Sequence, residues 1–160
     1  PDVPGNEILF AEGFPTADGR AKIVPAGLVP PDEVPDADYP LVLTTGRMLE
    51  HWHTGAMTRR ATVLDSLEPE AVASLSPRQL RGMGLEAGDM VKVATRRGEI
   101  ALKVRADTDV PEGMVFIPFC FNEAAANMLT NPQLDPFGKI PEFKFCACKV
   151  EPLTAAAAAE

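Results

Sequence analysis

No even set of cysteines runs through this chain of 160 residues: there are three, Cys120, Cys146 and Cys148. Three thiols make neither a closed disulfide framework nor the four-ligand set that a zinc or iron–sulfur site ordinarily takes. They read as reduced thiols in a cytoplasmic setting, and Cys146 and Cys148, two apart, would share one face of a strand as small buried hydrophobes. Positive charge is also scarce. Fifteen Lys and Arg against 23 Asp and Glu leave a net charge of −8, which excludes a general nucleic-acid binder, because phosphate backbones are gripped through clustered basic side chains. No apolar run approaches the roughly 18 residues that span a bilayer, so direct membrane insertion is not expected. With no initiator Met and no charged-then-apolar leader, the chain reads as a soluble piece of a longer polypeptide. Its length fits one domain plus an extension, built on a single core.

What is present is unevenly spread. Residues 1–38 hold eight acids against Arg20 and Lys22, and half of the sixteen prolines lie within residues 1–40. This composition predicts an irregular lead-in, relieved by a turn at Asp18-Gly19 and a short strand after it. From Tyr39 the character changes. Tyr39 to Thr45 is an apolar, β-branched run that ends at Gly46, as a buried strand opening into a loop would. Ala71 to Leu75 is a second strand, after which Ser76-Pro77 supplies a capping hydroxyl and a proline at the first helical position. Gly82 or Gly84 would end that helix. Val91 and Val93 alternate with Lys92, and Ile100, Leu102 and Val104 alternate with Ala101, Lys103 and Arg105, across a hairpin turn at Arg97-Gly98. Met114 to Phe119 is a continuous apolar strand, Glu123 to Leu129 a brief helical turn, and Phe143 to Val150 a last strand. Many short strands and few helices indicate a mainly β fold, a closed barrel or a sandwich. The Ala-rich tail, 154–160, is expected to fray.

The segment from Thr44 to Arg60, TTGRMLEHWHTGAMTRR, is the most informative. A strand running into Thr45-Gly46-Arg47 offers a hydroxyl, a backbone free of Cβ crowding and a guanidinium, which suits a phosphate or a planar heterocycle. Both histidines of the chain, His51 and His53, and its one tryptophan, Trp52, sit here. No third ligand accompanies the histidines, so hydrogen bonding to a polar ligand is preferred to metal ligation. Arg59 and Arg60, taken alone, read as a solvated pair.

These residues resemble the loop of the molybdopterin-dinucleotide-binding domain that ends the catalytic subunits of molybdenum formate dehydrogenases and related bacterial nitrate reductases. The resemblance continues through GLEAGDMVKVATRRGEI, MVFIPFCFNEAAANMLTNP and PEFKFCACKVEP, and covers about Tyr39 to Leu153. It implies a double-psi β-barrel with a few short helices over 39–153, with 1–38 leading in from a preceding domain. It implies a cofactor of two molybdopterin guanine dinucleotides around Mo or W, with an iron–sulfur cluster and the metal-ligating residue in domains outside this chain. Thr45, Gly46, Arg47, Glu50, His51, Trp52, His53 and Thr54 look like the main cofactor contact. Asn127 and Lys144 look like two more, and Phe119 like a wall near the substrate funnel. No catalytic residue and no metal ligand carries over. Partners implied are the preceding domains of the same subunit and electron-transfer subunits.

The residue chemistry agrees with these roles. Arg47 can clamp a pyrophosphate with a fixed fork of donors, Asn127 offers a donor and an acceptor to an amide-like edge, and Lys144, opposite Phe143 and Phe145 on an alternating strand, can reach a phosphate. FPTADGRAKIVPA and NPQLDPFGKIPEFKFCA favour the soluble formate dehydrogenase branch over nitrate reductase, which shares the Thr45–Thr54 loop. A reading from another class, a stand-alone barrel for ligand binding or interaction, stays open on the residues alone. An aspartate-decarboxylase-like barrel enzyme is discounted, since its self-cleaving Gly-Ser dipeptide does not occur here.

Overall fold

The computed structural model describes residue 5 and residues 7–153; the tail at 154–160, where fraying is expected, lies outside them. Two units compose the chain, residues 1–30 and residues 31–160. In the first, the turn read at Asp18-Gly19 is present: Thr16 Oγ1 donates to Asp18 Oδ1, and Phe14 N donates to Gly19 O at 3.0 Å. The strand expected after it is not there, and Ile23 is exposed. Among the described residues no strand pairs with that stretch, and a strand without a ladder has no partner for its amides.

The second unit is a closed six-stranded barrel. Its strands are β1 (Leu41–Gly46), β2 (Val72–Leu75), β3 (Met90–Ala94), β4 (Glu99–Ala106), β5 (Met114–Pro118) and β6 (Cys146–Pro152), arranged in the order β1-β5-β2-β4-β3-β6 with β6 returning to β1. β1 runs parallel to β5, from Val42 opposite Met114 to Gly46 opposite Pro118, and β2 runs parallel to β4. The other four pairings are antiparallel. Leu43, Leu75, Val91, Val93, Leu102, Val115 and Ile117 fill the interior. The alternation read in β3 and β4 is observed, with Val91, Val93, Ile100, Leu102 and Val104 buried.

Two short helices decorate the barrel. α1 (Thr62–Leu67) has no buried residue, whereas α2 (Pro77–Gly82) is anchored by Leu80 and capped by Ser76, whose hydroxyl accepts from Gln79 N at 3.1 Å. Gly84 follows with φ +69°. The helical turn read over 123–129 contracts to a 3-10 turn, Ala126–Met128. The last strand begins at Cys146 rather than Phe143; just before it, the buried Asn131 amide donates to Glu142 Oε2 and to the Phe145 carbonyl.

Residues 31–38, acidic in the sequence, contribute a built contact to the barrel unit. Glu33 accepts from Arg97 Nη1 through both carboxylate oxygens at 2.8 Å, from Arg96 Nη1 at 2.7 Å and from Ala147 N at 3.0 Å. Burial pushes the Glu33 carboxyl upward, but the Arg97, Ala147 and Arg96 donors outweigh it and hold it below its ordinary value.

Candidate functional site

Gly46 ends β1 against the ring of Phe116, which occupies the space a Cβ would need. Its carbonyl accepts from Phe119 N at 3.1 Å, so the loop leaving β1 and the segment leaving β5 start side by side, as the parallel pairing of those strands dictates. Thr45 is buried and donates through Oγ1 to Phe143 O at 2.8 Å, while Lys144 Nζ donates to Thr45 O at 2.6 Å. Together they pin the segment before β6 to the mouth of β1.

Beyond Gly46 the loop turns outward. Arg47 is exposed, and its guanidinium lies 3.3 Å from His53 Nε2. His53 has φ +49°, a conformation that L residues seldom adopt outside tight turns, and its ring stands edge-on to Trp52 at 4.6 Å and 6.5 Å from Phe119. Thr58 Oγ1 accepts from Trp52 N and Gly55 N donates to Trp52 O, closing the turn. Gly55 has φ +72°, and a Cβ there would meet Cys120 O at 2.9 Å. His51 faces the other way. It is fully buried, its Nε2 donates to Glu68 O at 2.7 Å, its ring meets Phe121 edge-on at 5.6 Å, and its Nδ1 has no partner.

A depression of about 200 Å³ opens beside this loop, lined by Thr54, Phe119, Asn122, Ala125 and Asn127 among others. It joins one end of the loop to the segment after β5. Among the described residues no cluster of three His, Cys, Asp or Glu could hold a metal ion, and the thiols are not poised as ligands: burial pushes Cys120 up to about 11 and Cys148 up to about 12.

Residues 41–147 match the family model for the molydopterin dinucleotide binding domain. The chain belongs to that family. Among curated relatives, the chain is 47% identical over 147 residues to the F420-dependent formate dehydrogenase subunit alpha of Methanocaldococcus jannaschii. It is 45% identical over 148 residues to the F420-dependent formate dehydrogenase 1 subunit alpha of Methanococcus maripaludis. Each alignment covers 92% of this chain and 22% of the relative, so the chain spans about a fifth of those proteins. Acetylene hydratase from Pelobacter acetylenicus superposes with a TM-score of 0.64 at 23% identity, over 72% of this chain and 19% of that one, and shares the fold.

Within the domain, the structure brings Arg47, Trp52 and His53 together on one exposed turn and Thr54, Phe119 and Asn127 around one depression. Thr45 and His51 turn their side chains inward, where they hold the loop. Glu50 is half-buried, with its charge felt by Arg105. Lys144 reaches the rim, but from an irregular segment and not from an alternating strand. The two arginines differ in their surroundings. Arg47 is exposed. Arg59, expected to be solvated, has a side chain only 20% exposed, paired with Asp65 and Glu123. Glu123 and Asp65 were not legible as its partners, since separations of 64 and 6 residues follow no helical or strand period.

Proposed function

We propose that this chain is the cofactor-holding C-terminal domain of the catalytic subunit of a formate dehydrogenase, and that the barrel is of the double-psi kind. The observation that carries the reading is Arg47. In a chain with eight more acids than bases, it stands exposed with no carboxylate partner among the described residues, and only His53 beside it. An uncompensated guanidinium on a tightly tied turn is suited to an anionic ligand. The similarity to formate dehydrogenase alpha subunits supports formate over nitrate as substrate.

The donor set fits a molybdopterin guanine dinucleotide. Arg47 and His53 suit its phosphates, Thr54 and Asn127 suit a heterocycle edge across the depression, and Lys144 adds charge at the mouth of β1. Trp52 stands edge-on against the His53 ring, and Phe119, beside His53, lines the wall toward the substrate. When bound, two such dinucleotides around Mo or W supply the two-electron oxidation of formate to carbon dioxide. The metal's protein ligand and an iron–sulfur cluster are assigned to preceding domains, the electrons to partner subunits, and the whole to the cytoplasm.

The test is Arg47→Ala in the intact polypeptide. Loss of a charge-assisted pair that becomes buried once the neighbouring domains cover it costs on the order of 2–5 kcal/mol, hence roughly tens- to thousands-fold in affinity. Guanine nucleotide released by acid hydrolysis, measured per polypeptide, should fall together with bound metal. Wild-type nucleotide content with unchanged turnover would reject the assignment.

A further inference from the structure

The turn that carries Arg47 and the segment that carries Phe119 and Asn127 face each other across the 200 Å³ depression, and one side chain ties them together. Arg59 Nη1 donates to Glu123 Oε2 at 2.7 Å, in the segment after β5. Its Nε donates to Asp65 Oδ1 at 3.3 Å and its Nη2 to Pro69 O at 3.4 Å. The guanidinium carbon sits 4.6 Å from the centroid of the Phe121 ring. Back along the chain, Arg59 N donates to Gly55 O at 2.9 Å. A Cβ on Gly55 would lie 2.7 Å from Arg59 Cγ and 2.9 Å from Cys120 O. The arginine stem therefore passes through a gap that exists because residue 55 is a glycine, and it emerges to hold Glu123 on the far side.

We propose that Arg59 is a positioning residue for the dinucleotide: it sets the separation between Thr54 on one wall and Asn122 and Asn127 on the other without touching the ligand. This rests on the cofactor reading above. Asp65 and Glu123 already neutralise the guanidinium, so Arg59 is not a spare cation as Arg47 is. Its five-donor fork is what makes the tie, since three of its nitrogens serve three different segments. A lysine can keep the charge and one of these bonds, but not all three.

The experiment compares Arg59→Ala, Arg59→Lys, Glu123→Gln and, as reference, Arg47→Ala in the intact polypeptide. Two quantities are measured: guanine nucleotide retained per polypeptide after gel filtration, and amide exchange in residues 50–58 against residues 91–93. Arg59→Ala should lower nucleotide retention roughly tenfold, as expected for loss of a supporting contact. It should speed exchange in 50–58 and leave 91–93 at the wild-type rate. Arg59→Lys should restore retention only in part, and Glu123→Gln should move both readouts in the same direction as Arg59→Ala. If Arg59→Ala also frees residues 91–93, the barrel has been lost and Glu123→Gln, which keeps the stem and the Asp65 pair, decides alone. Wild-type retention in the Arg59 and Glu123 variants while Arg47→Ala loses nucleotide would overturn the positioning role and leave the cofactor reading standing. Wild-type retention in all four would overturn both.

Discussion

At the scale of single residues, the molecule separates charges that are spent internally from charges that are left over. Glu33 belongs to the first kind. Its carboxylate, 11% exposed, collects two arginines and a backbone amide, and its pKa is held below the ordinary 4.5. A carboxyl depressed by folding binds a proton more weakly in the native state. Its stabilisation is therefore complete above 4.5 and drains away as pH falls through the lower native value. Glu33→Gln should cost about 1–3 kcal/mol at neutral pH and should show a shallower loss of stability below pH 4.5 than the wild type. Denaturant unfolding of both proteins across that window checks this; parallel curves would show that Glu33 carries no net linkage. Sequence alone did not distinguish Glu33 from the other acids before residue 39, because its partners lie more than sixty residues away.

At the scale of elements, legibility followed locality. The alternation of Val91 and Val93, and of Ile100, Leu102 and Val104, reports burial within a hairpin whose two strands are neighbours in sequence. Ser76-Pro77 reports a helix start that needs only its own next three residues. Ser76→Ala should therefore destabilise the domain by about 1 kcal/mol, and Ser76→Asp by much less, as read from chemical denaturation midpoints. Equal stability of the alanine variant would mean that Leu80 alone seats α2. By contrast α1 gave no signal. Val63 and Leu67 are exposed, so the short apolar spacing of this segment buries no side chain, and the helix stands on the Arg59–Asp65 pair and its own backbone bonds. The site divides along the same line. The clustering of Arg47, Trp52 and His53 was legible because they are adjacent in sequence. The meeting of Thr54 with Phe119 and Asn127 came from the family resemblance, because the β1–β5 parallel pairing that produces it leaves no mark on either strand. His51, which the sequence grouped with the ligand-facing residues, turns into the core on a hydrogen bond to Glu68 that no local pattern encodes.

For the molecule as a whole, closure of the sheet is the decisive property. β6 completes the ring by pairing with β1 on one side and β3 on the other, so every strand has two neighbours and no edge is offered to another chain. A polypeptide terminated after Phe145 keeps the other five strands but bares the flanks of β1 and β3. It should precipitate or form higher oligomers on size-exclusion chromatography. A soluble monomer with native near-ultraviolet circular dichroism would show that closure is dispensable. The order of synthesis gives this arrangement a cost in time. The strand that seals the ring is the last of the six to be made, and between Leu41 and Pro152 a ribosome adding roughly 5–20 residues per second leaves the flank of β1 uncovered for on the order of ten seconds. The nascent chain thus passes through a sticky, open-sided interval that folding speed cannot shorten. A cell that makes this protein must either shield that interval or translate the stretch ahead of Cys146 without delay.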